Sequence, residues 1–200
     1  MNEGAGAPGV AVSAGSSRPA FGTFLSAASR VQTPRVVSPS HDGGNMTNNI
    51  AWRSIALGGL SAGLADFIYP TLRKVAAGGS WMDPWKGVAY GLLGPASRDG
   101  GVEMALLGAA LHFFICLSGA ALLWLLVSRV KFIPRQWFVL GVLYGLAVLA
   151  TMNYVILPLS QIGQSIYPLS NIHVSAFWHI VLVGIPTAFF ISRGLRRAPT

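Results

Sequence analysis

Residues 106–130 read LLGAALHFFICLSGAALLWLLVSRV, an apolar run with one imidazole, His112, at its centre and no formal charge before Arg129. A helix rises about 1.5 Å per residue and the hydrocarbon layer of a bilayer is about 30 Å thick, so a run of this length crosses a membrane. The span built on it covers about 104–128, and three more apolar runs stand at about 55–72, 137–157 and 172–191. The expected fold class is therefore all-α, a polytopic membrane four-helix bundle. Residues 50–193 form its transmembrane domain, 1–49 an N-terminal tail and 194–200 a basic C-terminal tail.

Composition agrees. The 200-residue chain is 52% hydrophobic and only 10% charged, with a mean hydropathy of +0.56, whereas soluble domains carry charge on about a quarter of their residues. The net charge of +8 comes from Lys and Arg set singly or in small groups at the edges of apolar runs. That distribution reads as topological and argues against a nucleic-acid partner. The single cysteine, Cys116, lies inside an apolar run. It allows no intramolecular disulfide and no cysteine-based metal site, and it reads as a small packing residue.

The tail 1–49 is rich in Gly, Ala, Ser and Pro and has no apolar run, so disorder is expected there. Arg18, Arg30 and Arg35 among serines give it a faint organelle-transit look, yet Met46 begins MTNNIAWRSIALGG, and the favoured reading is a translated leader ahead of that start.

In the first span Gly59 and Gly63 form a GxxxG pair, and Asp66 and Pro70 continue the same stripe. A carboxylate at membrane depth is costly and faces a partner or water, and Pro70 frees a carbonyl in the last turn. Between the first two spans Asp83 and Pro84 open a short helix at about 84–95, Asp83 as cap, with Pro95 and Gly100–Gly101 marking its end. It is too short to span, and Trp81, Trp85 and Tyr90 suit a headgroup layer. An interfacial or re-entrant helix is expected, with Gly87, Gly91 and Gly94 as its docking face.

In the second span Gly108, His112, Ile115 and Gly119 share a face. In the third, Gly141 and Gly145 form another GxxxG pair, with Asn153 two turns on and Pro158 ending the span. The loop SQIGQSIYPLSN places Tyr167 and Pro168 near the interface. The fourth span carries His173 at its start, Trp178 and His179 two turns in, and Pro186 as a kink. Positive charge gathers at Arg53, Arg129–Arg135 and Arg193–Arg197, so both termini are expected to be cytoplasmic. Arg73, Lys74, Lys86 and Arg98 land on the opposite side, accompanied by Asp83, Asp99 and Glu103.

The segments GLSAGLADFIYP (59–70), WKGVAYGLLGPASRDGG (85–101), LGAALHFFICLSGAA (107–121), GVLYGLAVLATMNYVILPLS (141–160) and HIVLVGIPTAFF (179–190) follow one another in that order. Together, across residues 55–193, they resemble a family of small, uncharacterised four-span proteins of the bacterial inner membrane, and more loosely the YagU-like inner-membrane proteins. The resemblance implies that membrane as location, hints at acid tolerance and brings no reaction with it. No phosphate-binding loop, HExxH pair or GxSxG elbow is present, so no catalytic residue, metal or cofactor is expected.

Asp66, His112, Asn153 and His179 form the candidate intramembrane polar site, one residue from each span. Three readings stand side by side: hydrogen bonds that fix helix register, a proton or small-solute pathway pairing His112 with Asp66, and haem or metal ligation by His112 and His179. Four helices enclose little volume, and the GxxxG faces allow a homo-oligomer within the lipid bilayer.

Overall fold

The structure is a computed structural model that describes residues 42–130, 136–166 and 169–198. Among these residues every regular element is a helix. Helix α1 spans Asp42–Ala76, α2 Asp83–Leu93, α3 Ala96–Asp99 and α4 Val102–Val127. The third span begins as α5 (Trp137–Thr151), widens into a π-helical segment (Met152–Ile156) and ends as α6 (Leu157–Leu159). After a 3-10 turn at Leu169–Asn171, the fourth span runs as α7 (Ile172–Trp178), a second π segment (His179–Gly184) and α8 (Ile185–Leu195). Four helices are long and apolar enough to cross a membrane: Met46–Ala76, Val102–Val127, Trp137–Leu159 and Ile172–Leu195. The protein is a multi-pass membrane protein.

The expected boundaries need correction at several points. Helix α1 starts at Asp42, inside the segment 42–49 expected to be disordered, although Gly43, Gly44 and the asparagines are poor helix formers. Adding turns to an existing long helix needs only propagation, and the costly nucleation step has been met elsewhere in α1. The remainder of the tail, residues 1–41, lies outside the described residues, as do Lys131, Pro134, Arg135, Tyr167 and Pro168. Pro158 does not end the third span but sits in its last turn, and the fourth span continues to Leu195, into the expected tail.

Both π segments have a proline two residues beyond their ends, Pro158 and Pro186. A proline ring collides with the carbonyl four residues earlier in an α-helix. Here the ladder widens just ahead of it: Leu157 N–H donates to Met152 O and Ile185 N–H to Ile180 O, each five residues back. Helix α1 meets the same problem at Pro70 and continues to Ala76.

Packing is made by small residues, as expected where lipid removes the hydrophobic drive between helices. A methyl group on Gly59 would stand 2.9 Å from Leu117 Cα, and one on Gly63 would stand 2.8 Å from the Phe113 ring, so α1 lies directly on α4. Gly119 faces the Tyr144 hydroxyl, and Gly141 and Gly145 lie against Ile185 and Ile180 of the fourth span. These five expected packing glycines, and Gly108, which meets the backbone of Trp85, are thus used inside one chain, and a homo-oligomer would need another face. Gly58 against Thr187 and Gly194 against Ser54 and Trp124 complete the set. Leu57, Leu60, Leu64, Ile68 and Leu72 of α1 point outward at helical spacing, where lipid receives them. At the end of the bundle away from α2, Leu123, Val127 and Ile191 form a buried cluster with Ile55, Trp124, Leu140, Tyr144 and Leu195 packed around it. From Ser54, where Gly194 packs, to Ala76, α1 rises about 33 Å, close to the hydrocarbon thickness of about 30 Å.

Helix α2 docks on α4 through Trp85 and Ala89, while two of its three expected docking glycines, Gly91 and Gly94, lie against Ser160 and Gln161 just past the third span and Gly87 does not dock. Nothing lies within 4 Å of a methyl group on Gly87. The buried face is Trp85 and Ala89, whose backbone closes on Gly108. Gly108 lies six residues into α4, about 9 Å along its axis, so α2 rests against the side of the span. Asp83 belongs to the first turn of α2 and makes no side-chain cap; its carboxylate accepts from Ser80 N–H at 3.3 Å and pairs with Lys74 Nζ at 3.3 Å.

Candidate functional site

The centre of the site is set by a bare stretch of backbone. Gly63 has no side chain to cover its carbonyl, and α4 comes close enough there for His112 to reach across. His112 Nε2 stands 3.0 Å from Gly63 O. A carbonyl only accepts, so Nε2 carries the hydrogen and the other nitrogen, Nδ1, is left for a different neighbour. That neighbour is Asp66, with Oδ2 4.0 Å from Nδ1. Asp66 follows Gly63 by three residues on the same face of α1, so the crossing of α1 and α4 brings Asp66 and His112 together.

Three aromatic rings enclose the imidazole. Trp85 lies 5.2 Å away between ring centroids, Phe113 5.5 Å and Phe67 6.5 Å. Phe67 and Trp85 stack at 4.0 Å, within 11° of parallel. Cys116 Sγ approaches Nε2 to 3.8 Å, one helical turn beyond His112. Cys116 fills the position assigned from the sequence to Ile115, which instead is 39% exposed toward lipid. The side chain of His112 is 12% exposed and that of Asp66 32%, so the carboxylate is the open side of the pair.

Trp85 closes the site from the α2 side and was expected in the headgroup layer. It is 2% exposed, and its Nε1–H donates to Thr71 Oγ1 at 3.0 Å, while Thr71 in turn donates to Phe67 O at 2.8 Å. The Trp85–Ala89 spacing, one helical turn, was the available sequence signal. Trp85→Phe keeps an aromatic ring against Phe67 but removes the indole donor together with part of the buried ring volume. Its expected cost is at least about 0.6 kcal/mol, the average for a polar contact between membrane helices, read by reversible unfolding in mixed micelles.

Asn153 and His179 are held by other elements. Asn153 is buried within the first π segment, and its backbone O accepts from Ser165 Oγ at 2.8 Å. His179 opens the second π segment; its Nδ1 donates to Ser175 O at 2.8 Å, and its carbonyl faces Gly145. The four polar residues therefore divide between the α1–α4 contact and the third and fourth spans. Wide π turns of this kind recur at functional sites, and here each carries one of the candidate residues. Among the described residues no group of three or more His, Cys, Asp or Glu is arranged to hold a metal ion. Ligation by His112 through Nε2 would require it to leave Gly63 O.

No family model, curated protein or solved structure matches the chain.

Proposed function

We propose that this is a non-enzymatic protein of the bacterial inner membrane in which Asp66 and His112 take up and release a proton within the bilayer, as part of proton-linked transport or acid tolerance. The observation that carries this reading is the fixed direction of the imidazole. With Nε2–H committed to Gly63 O at 3.0 Å, Nδ1 faces Asp66 Oδ2 at 4.0 Å. A proton taken up by Nδ1 or by the carboxyl group would lie between the two side chains. An imidazole is the side chain suited to exchanging it near neutral pH. The location is carried over from the resemblance read in the sequence segments between residues 55 and 193. Arg53, Arg129, Lys131, Arg135, Arg193, Arg196 and Arg197 outnumber Arg73, Lys74, Lys86 and Arg98, which supports cytoplasmic termini.

The test is proton flux into proteoliposomes that trap a pH-sensitive dye. His112→Gln retains an N–H for Gly63 O but has no titratable nitrogen, and Asp66→Asn removes the carboxylate. Both are expected to lower flux by an order of magnitude or more while inserting normally. Wild-type rates in both variants would leave the pair with a packing role alone.

The packing reading draws its own support from His179, whose carbonyl lies against Gly145 of the third span while its Nδ1 donates to Ser175 O of its own helix. His179→Gln is expected to leave flux unchanged in the same assay.

A further inference from the structure

The four cations that oppose the charge bias meet in space. Arg73 and Lys74 end α1, Lys86 lies in α2 and Arg98 in α3. One cleft of about 350 Å³ is lined by Pro70, Arg73, Lys74, Ala77, Asp83 and Pro84. A second, of about 260 Å³, is lined by Lys74, Asp83, Lys86, Gly87 and Arg98. The two share Lys74 and Asp83, so they form one groove with four cations and one carboxylate on its walls. Asp99 and Glu103 flank it in sequence, and Glu103 turns its carboxylate to the Gly101 N–H at 2.6 Å.

The groove's polar groups are only partly satisfied from within. Lys74 is paired with Asp83 at 3.3 Å. Lys86 Nζ donates to Arg98 O at 3.4 Å. The Arg98 guanidinium lies 4.4 Å over the Tyr90 ring, which covers one of its faces. Among the described residues neither Arg73 nor Arg98 forms an ion pair. The groove stands where α1 ends and α4 begins, beside the exposed Trp81, which suits the headgroup layer of one leaflet. Two guanidinium forks and two ammonium groups around such a cleft match a phosphate oxyanion, which accepts bidentate hydrogen bonds from Arg.

The geometry points to a binding site for a phosphate-bearing anion in the groove of Arg73, Lys74, Lys86 and Arg98, occupied from the membrane by the headgroup of an anionic phospholipid or from solution by free phosphate.

The experiment uses the full chain in phosphatidylcholine nanodiscs, titrated in parallel with phosphatidylglycerol and with inorganic phosphate. Removing a cation near an anionic headgroup changes affinity by about fivefold. The double variant R73Q/R98Q is therefore expected to bind about 25-fold more weakly. Asp83→Asn removes a repulsive charge and releases Lys74, so it should bind several-fold more tightly. Arg53→Gln, at the other end of the bundle, should match the wild type. Phosphatidylglycerol binding with this variant order assigns the groove to lipid. Inorganic phosphate binding with the same order assigns it to a soluble anion. Equal binding in wild type and R73Q/R98Q overturns the site. So does weaker binding in D83N, which would trace the R73Q/R98Q loss to a disturbed α2.

Discussion

Gly184→Ala is expected to uncouple the third and fourth spans. A methyl group there would fall on Gly141 O and stand 2.9 Å from Gly145 N and 3.0 Å from its Cα. All three are backbone atoms, and no flexible side chain is available to yield. The torsions of Gly184, φ −64° and ψ −57°, are those of an ordinary helix. Alanine can therefore adopt the backbone, and space alone excludes it. Overpacking in a close-packed interior costs about 1–3 kcal/mol and sometimes more, and the upper end applies because a backbone-to-backbone contact must open. Equilibrium unfolding in mixed micelles should show this loss. Gly87→Ala provides the contrast: nothing lies within 4 Å of its methyl group, and helix propensity alone should make it neutral or stabilising by up to about 1 kcal/mol. Equal stability of the two variants would refute the packing argument.

Gly108→Ala should detach α2 from α4. Its methyl group would fall on the Trp85 carbonyl oxygen, the residue that closes the histidine site. Alanine improves helix propensity by about 1 kcal/mol, so any net loss understates the collision, whose cost is about 3 kcal/mol. The effect is local and has a local readout. Lys86 follows Trp85 directly, and trypsin acting on the folded protein in nanodiscs should cut after it in the variant and spare it in the wild type. Because Trp85 would no longer cover His112, proton flux should change as well. Resistance at Lys86 equal to that of the wild type would mean that α2 is held by contacts other than Gly108.

Much of this architecture was legible in residue types. Four spans follow from hydropathy and length, since apolar runs of about 20 residues match the hydrocarbon layer. The six glycines were found because only small residues let helix backbones approach closely in lipid. Asp66 and His112 stood out because a charged or titratable group at that depth needs a partner. What escaped was anything decided by the fit of one backbone on another. The docking face of α2 was assigned to its glycines, of which Gly91 and Gly94 meet the end of the third span, whereas the contact with α4 is set by Gly108 of the span, which receives Trp85 and Ala89. Ile115 and Cys116 differ by one position, about 100° around a helix, and only the actual crossing of α1 and α4 chooses between them. The π segments were invisible because their cause, a proline, is compatible with a kink, a break or a widened turn. The shared groove of Arg73, Lys74, Lys86 and Arg98 was likewise hidden, since its members were recognised singly as exceptions to a charge rule.

The seat of α2 also bears on how the protein is made. Two of the surfaces that receive Trp85, Phe67 and Thr71, lie upstream of it in the chain. The other two, Gly108 and His112, lie downstream. A ribosome therefore delivers α2 before half of its binding surface exists. During synthesis this helix must wait, with Asp83 and Lys86 in contact with water or headgroups, until the following span has left the translocon. Closure of the histidine site is consequently a late event in biogenesis, and the timing is written into the order of the chain.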